Sequence, residues 1–263
     1  MESKSKSQLF VFEGWRGVLK IAFIWIALLA GISAVGIAVE TAPYRHLNIH
    51  QLARLRDLGQ LEQFRSSNAA LTPDSQRVVF IGDSITRMWN FDVSFHNPHY
   101  VNRGIDAQTS ADILVRFRQD AIDLQPKTAI ILDGINDFLE GSSNGRITGD
   151  QVLINLEAND QTMAELAELH HIQPVFISLL PLHAYTPEAK KLYRRVPSDL
   201  ILKVNGWLKA YCAAHRYQYI DVFPAMADAQ GMLRREYSDD GLHPNEAGYQ
   251  AMAHAFSNQF RSE

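Results

Sequence analysis

From Arg77 onward the chain alternates short apolar runs with longer amphipathic stretches. The runs are VVFI (78–81), YVN (100–102), TAIIL (128–132), PVFISLL (174–180) and YQYIDVF (217–223). They are rich in β-branched and aromatic residues and read as strands. Helical spacing fills 110–124, roughly 150–170 and 197–215, and a last helix is predicted from about 246 to 260. "TGDQ" at 148–151 reads as a capping box opening the second of these. Continuous apolar strands separated by helices predict a parallel sheet covered on both faces. The expected fold class is therefore α/β, one doubly wound domain over 74–263.

The N-terminal part breaks this pattern. From Ile21 to Val39 the chain reads IAFIWIALLAGISAVGIAV, with Ser33 its one polar residue. About 20 apolar residues span a bilayer as a helix, whereas a cleaved signal peptide has a shorter apolar region. The stretch 21–39 is thus expected to be an uncleaved transmembrane signal anchor, with 1–20 as a cytoplasmic tail. Lys4, Lys6, Arg16 and Lys20 precede it, so the domain is expected to be membrane-anchored and exported, on the periplasmic or extracellular side. Residues 40–73 form a connector, with leucines at 52, 55, 58 and 61 that suit an amphipathic helix.

Composition narrows the picture only a little. The net charge of −4 argues against a nucleic-acid partner, which selects for a basic face. The single cysteine, Cys212, excludes an intramolecular disulfide and reads as a buried small residue.

Candidate chemistry lies at the strand ends, where open α/β sheets bind ligands. Gly82-Asp83-Ser84 follows the first strand and Gly104 follows the second. Gly134-Ile135-Asn136-Asp137 follows the third, and Asp240-Gly241-Leu242-His243 lies beyond the fifth. A serine hydroxyl needs a base to become a nucleophile. His243 can be that base, and Asp240, three residues earlier, can accept from its Nδ1-H; Asp239 is the neighbouring alternative. The N-H groups of Ser84 and Gly104 and the amide of Asn136 can stabilise an oxyanion. Each position also has a plainer reading: a helix start, a turn glycine, a turn cluster, a helix entry before Pro244. Their coincidence at successive strand ends argues for a site.

The four blocks G-D-S (82–84), Gly104, G-x-N-D (134–137) and D-x-x-H (240–243) resemble those of the SGNH or GDSL-type hydrolase superfamily. "VNRGI", "ADILVRFRQDAIDLQP" and "GLHPNEAGY" extend the likeness toward bacterial platelet-activating-factor acetylhydrolase-like and lysophospholipase-like esterases. The resemblance implies a flavodoxin-like three-layer α/β/α sandwich with a five-stranded parallel sheet, no metal and no cofactor. It also implies Ser84, Asp240 and His243 as catalytic triad, and Ser84, Gly104 and Asn136 as oxyanion hole. Asp83 and Asp137 would hold their loops. The expected activity is carboxylic ester hydrolysis with a short or medium acyl group, the alcohol being a lysophospholipid or an acetylated carbohydrate. The alternatives are an O-acyltransferase acting on an envelope glycan and a non-catalytic surface-anchored binding module. Trp89, Phe91 and Phe95 could wall an apolar slot or pack in the core. The cations of 181–197 could greet an anionic headgroup.

Overall fold

A computed structural model describes residues 57–141 and 148–261. The expected transmembrane anchor (21–39), the expected cytoplasmic tail (1–20) and Leu52 and Leu55 of the connector lie outside these residues. Among the described residues no helix is long and apolar enough to cross a membrane.

Five parallel strands form one sheet: β1 (Val78–Gly82), β2 (Tyr100–Gly104), β3 (Thr128–Leu132), β4 (Gln173–Ile177) and β5 (Gln218–Ile220). Their order is β2-β1-β3-β4-β5, the flavodoxin-like winding, with its switch point between β1 and β3. The register is unbroken: Gly82 pairs with Gly104 on one side and Leu132 on the other. The residues that follow Gly82, Gly104 and Leu132 therefore leave the sheet at one level.

Every position of β1 and β3 is buried, so both faces of the sheet are covered. On one face Phe80 gathers Trp89, Phe91, Phe95, Tyr100 and Phe256, with ring centroids 4.5–5.9 Å apart. Trp89 is 2% exposed and Phe91 8%. These aromatic residues are core, not the wall of a slot. Each edge-to-face contact adds about 0.5–1.5 kcal/mol beyond area burial. The predicted helices appear at Ser110–Asp120, Gly149–Leu169, Ser198–His215 and Glu246–Gln259. The first of them stops at Asp120; a 3-10 turn, Ile122–Leu124, follows.

The described part of the connector differs from the expected amphipathic helix. Leu58 and Leu61 lie in turns, and only Arg65–Ala69 is helical. Gln60 has φ +48°, a left-handed conformation that a helix cannot contain. The segment instead packs onto the domain. The Asn68 amide donates to Asp120 at 2.7 Å, its oxygen accepts from Arg103 Nε at 2.7 Å, and the Arg103 guanidinium lies over Phe64.

Candidate active site

Ser84 opens a short helix, Ser84–Met88, directly after β1. Asp83 caps that helix: its Oδ1 accepts from Ile85 N at 2.8 Å. Asn102 holds the far end, donating to Thr86 O at 2.6 Å and Trp89 O at 3.2 Å. The Ser84 turn is thus fixed at both ends, by its own cap Asp83 and by Asn102 from β2.

His243 reaches Ser84 from the other end of the domain. Its Nε2 lies 2.9 Å from Ser84 Oγ, and its Nδ1 lies 2.7 Å from Asp240 Oδ2. Asp240 Oδ1 accepts from the backbone N-H groups of Leu242 (2.9 Å) and His243 (2.8 Å). Burial works to raise the Asp240 pKa. The bonds from the His243 ring and these two N-H groups outweigh it and hold the carboxyl below its ordinary range. Asp240 is therefore ionised at neutral pH. Gly241 makes the tight loop possible. Its φ is +91°, and a Cβ there would sit 2.6 Å from Ala189 Cβ and 2.9 Å from the His183 ring.

Asn136 follows β3 on the helix Ile135–Gly141. Its Nδ2 donates to Gln108 O at 3.0 Å and to Asp83 Oδ2 at 3.3 Å. Asp137 accepts from Ser110 Oγ (2.6 Å) and Ser110 N (2.9 Å), tying the third strand end to the start of Ser110–Asp120. Burial raises Asp83 to about 7 and Asp137 to about 6. Both acidic residues tie local backbone through these bonds.

Gly104 departs from expectation. Its N-H donates to Asn102 Oδ1 at 2.8 Å, so it does not face an open site. A Cβ at 104 would lie 2.1 Å from Arg87 N. Glycine is required there because β2 closes directly onto the nucleophile helix. Three residues on, Ala107 is exposed and has φ +58°. Left-handed backbone in a non-glycine residue is a strained feature that clusters at functional sites. Sequence reasoning missed it, because alanine gives no sign of a positive φ.

Beneath the site lies a pair of carboxyls the sequence did not single out. Asp133 follows β3 and Asp160 comes from Gly149–Leu169; both are buried. Apart from the hydrogen bond the two carboxyls share with each other, neither Asp160 oxygen nor Asp133 Oδ2 has a partner. Burial, then repulsion among the neighbouring acids, holds both well above the ordinary carboxyl range. A raised carboxyl pKa stabilises the fold least at high pH, because the unfolded chain releases the proton that the native state retains. Asp160→Asn removes one such group. The variant is expected to melt above the wild type at pH 8, with the gap closing toward pH 4. Each retained proton is worth up to about 1.4 kcal/mol per pH unit. A gap in melting temperature that does not change with pH would refute this reading of the pair.

A family model for the GDSL-like lipase/acylhydrolase family matches residues 80–251. The chain belongs to that family. Among solved structures, a GDSL-like lipase from Bacteroides thetaiotaomicron is 30% identical. The match covers 76% of this chain and 97% of that one, with a TM-score of 0.66. A Bacteroides fragilis protein proposed to be an acylhydrolase is 32% identical over 76% and 95%, also with a TM-score of 0.66. An acetylxylan esterase from Geobacillus stearothermophilus shares the fold at 17% identity, over 73% and 98%, with a TM-score of 0.52. No curated protein matches the chain. In this GDSL-family domain, Ser84, Asp240 and His243 come together as one relay, and Asn136 is joined to Asp83. The described residues hold no group of three or more His, Cys, Asp or Glu side chains able to bind a metal ion.

Proposed function

We propose that the protein is a serine ester hydrolase acting through an acyl-enzyme on Ser84. The continuous relay from Ser84 Oγ through the His243 ring to Asp240, at 2.9 and 2.7 Å, carries this reading. Ser84 Oγ attacks the ester carbonyl while His243 Nε2 takes its proton. Asp240 steadies the imidazolium through Nδ1-H. The tetrahedral intermediate collapses, His243 protonates the departing alcohol, and Ser84 keeps the acyl group. Water, activated by the same nitrogen, then releases the acid and restores the serine.

The developing oxyanion takes the Ser84 N-H and the Asn136 amide, which gives up its longer bond, 3.3 Å to Asp83 Oδ2, to reach it. The third donor comes from the loop between β2 and Ser110–Asp120. Gly104 would have to exchange Asn102 for the oxyanion, whereas Ala107 is exposed on that loop. Ala107 is the donor we favour. Ala107→Gly keeps the N-H and suits φ +58°, so it should retain wild-type kcat. Ala107→Val, strained at that φ, should lower kcat; equal rates for both variants would return the role to Gly104.

Between the nucleophile turn and the acid–base loop lies a cavity of about 10 Å³, enough for one water. Its apolar lining includes Ile85, Leu132, Ile135, Leu180, Leu182 and Leu242. The apolar side chains around it, packed to leave no larger space there, favour a short acyl group such as acetyl seated against them beside Ser84, with a lysophospholipid or carbohydrate alcohol outside. Hydrolysis of p-nitrophenyl esters by the full chain should fall steeply from acetate to octanoate. An octanoate rate equal to the acetate rate would reject this pocket as the acyl site.

Partial exposure of the His243 and Asp240 side chains (27% and 55%) admits water, which favours hydrolysis over transfer to a glycan hydroxyl. The complete relay argues against a non-catalytic binding module. We place the domain on the exported side of the membrane, held by residues 21–39. Protease added to intact cells or spheroplasts should digest it, and protection there would contradict this placement.

A further inference from the structure

Arg116 is among the most deeply buried side chains of the protein, at 0% exposure. It sits on the helix Ser110–Asp120, against the end of β1. Each arm of its guanidinium has a different partner. Nη2 donates to Gly82 O at 3.0 Å, Nε to Gln108 Oε1 at 2.6 Å, and Nη1 pairs with Asp120 Oδ2 at 3.3 Å. Burial lowers its pKa to about 10, so it remains a cation at neutral pH.

Two of those partners, Gly82 and Gln108, support the proposed oxyanion site. Gly82 is the last residue of β1, two before Ser84, and its carbonyl also accepts from Ile105 N at 3.0 Å. Gln108 follows Ala107, and its own carbonyl holds the Asn136 amide at 3.0 Å. The remaining Asp120 oxygen accepts from Asn68, which in turn holds Arg103 beside Gly104. One planar, rigid fork thus joins the strand that presents the nucleophile to the loop that presents the oxyanion donors. Lysine cannot replace it, because an ammonium is a point charge with no fixed fork.

We infer that Arg116 is a positioning residue of the hydrolase reaction, setting the spacing between the Ser84 turn and the Gln108–Asn136 side of the oxyanion site. This rests on the ester-hydrolase reading above. The arginine touches no reacting atom. It acts through the carbonyl of Gly82 and the side chain of Gln108. A displacement of about 1 Å at such a site costs on the order of 100-fold in rate.

The test is Arg116→Lys in the full chain, with competent sites counted by fluorophosphonate labelling, so that loss of folded protein is separated from loss of rate. We expect kcat per labelled site to fall roughly 10- to 100-fold, with KM within about twofold of wild type. A merely structural arginine would lower the yield of labelled sites and leave their kcat alone; kcat within about twofold of wild type would overturn the inference. Gln108→Leu keeps the side-chain volume and removes the Nε acceptor, and it decides the matter if Arg116→Lys fails to fold. It should show the same drop in kcat at constant KM, and an unchanged kcat would overturn the inference. If wild-type protein neither labels nor hydrolyses esters, the hydrolase reading itself falls; wild-type activity with unaffected variants rejects Arg116 alone.

Discussion

Ser84→Ala should cut kcat on the order of 10⁶-fold and abolish fluorophosphonate labelling, while the melting temperature stays close to wild type. The two halves of this expectation have separate causes. The Ser84 side chain has one hydrogen-bond partner in the structure, His243 Nε2, and packs at a site only 9% exposed. Losing that bond costs about 1 kcal/mol of stability at most. The fold around it depends on other groups: the Asp83 cap, the Asn102 bonds to Thr86 and Trp89, and the Arg116 bond to Gly82. For the reaction the loss is severe, because among the described residues Ser84 supplies the hydroxyl bonded to His243 Nε2. What remains is the rate that donors and binding give to direct attack by water. Steady-state kinetics beside a thermal melt checks both halves. Labelling that persists in the variant would mean that the reactive serine lies elsewhere.

The sheet was legible in the sequence because its strands are continuous apolar runs whose ends carry the polar chemistry. Parallel pairing then brings those ends to one edge without further information, and Ser84, Asn136, Asp240 and His243 met there for that reason. Three features were not legible, each for a physical cause. The fate of the Gly104 N-H depended on the Asn102 rotamer two residues back, which local pattern does not reveal. Trp89, Phe91 and Phe95 follow the nucleophile in sequence, yet the short helices after Ser84 turn them onto Phe80 and Phe256. Arg116 reads as an ordinary solvated helix cation; only the tertiary structure shows Gly82, Gln108 and Asp120 closing around it. The leucines of the connector failed differently. Their spacing of three is helical on paper, but the left-handed backbone at Gln60 ends any helix between Leu58 and Leu61.

The acid of the relay offers the second large effect, and its sign can be derived from hydrogen bonding alone. In Asp240→Asn the two backbone N-H groups of Leu242 and His243 still demand an acceptor, so the amide oxygen must take the Oδ1 position. The amide nitrogen then occupies the Oδ2 position, 2.7 Å from His243 Nδ1 in the wild type. An amide nitrogen can only donate. Nδ1 must therefore accept, and the ring proton moves to Nε2, the atom facing Ser84 Oγ. A protonated Nε2 cannot take the serine proton, so kcat should fall on the order of 10⁴-fold with little change in KM. Asp240→Ala leaves Nδ1 to water, which can accept as well as donate, so the alanine variant should be the more active of the two. Asp239→Asn is the control, because its side chain takes no part in holding the ring. An asparagine variant within tenfold of wild type, or one more active than the alanine variant, would show that Asp240 does not set the tautomer of His243.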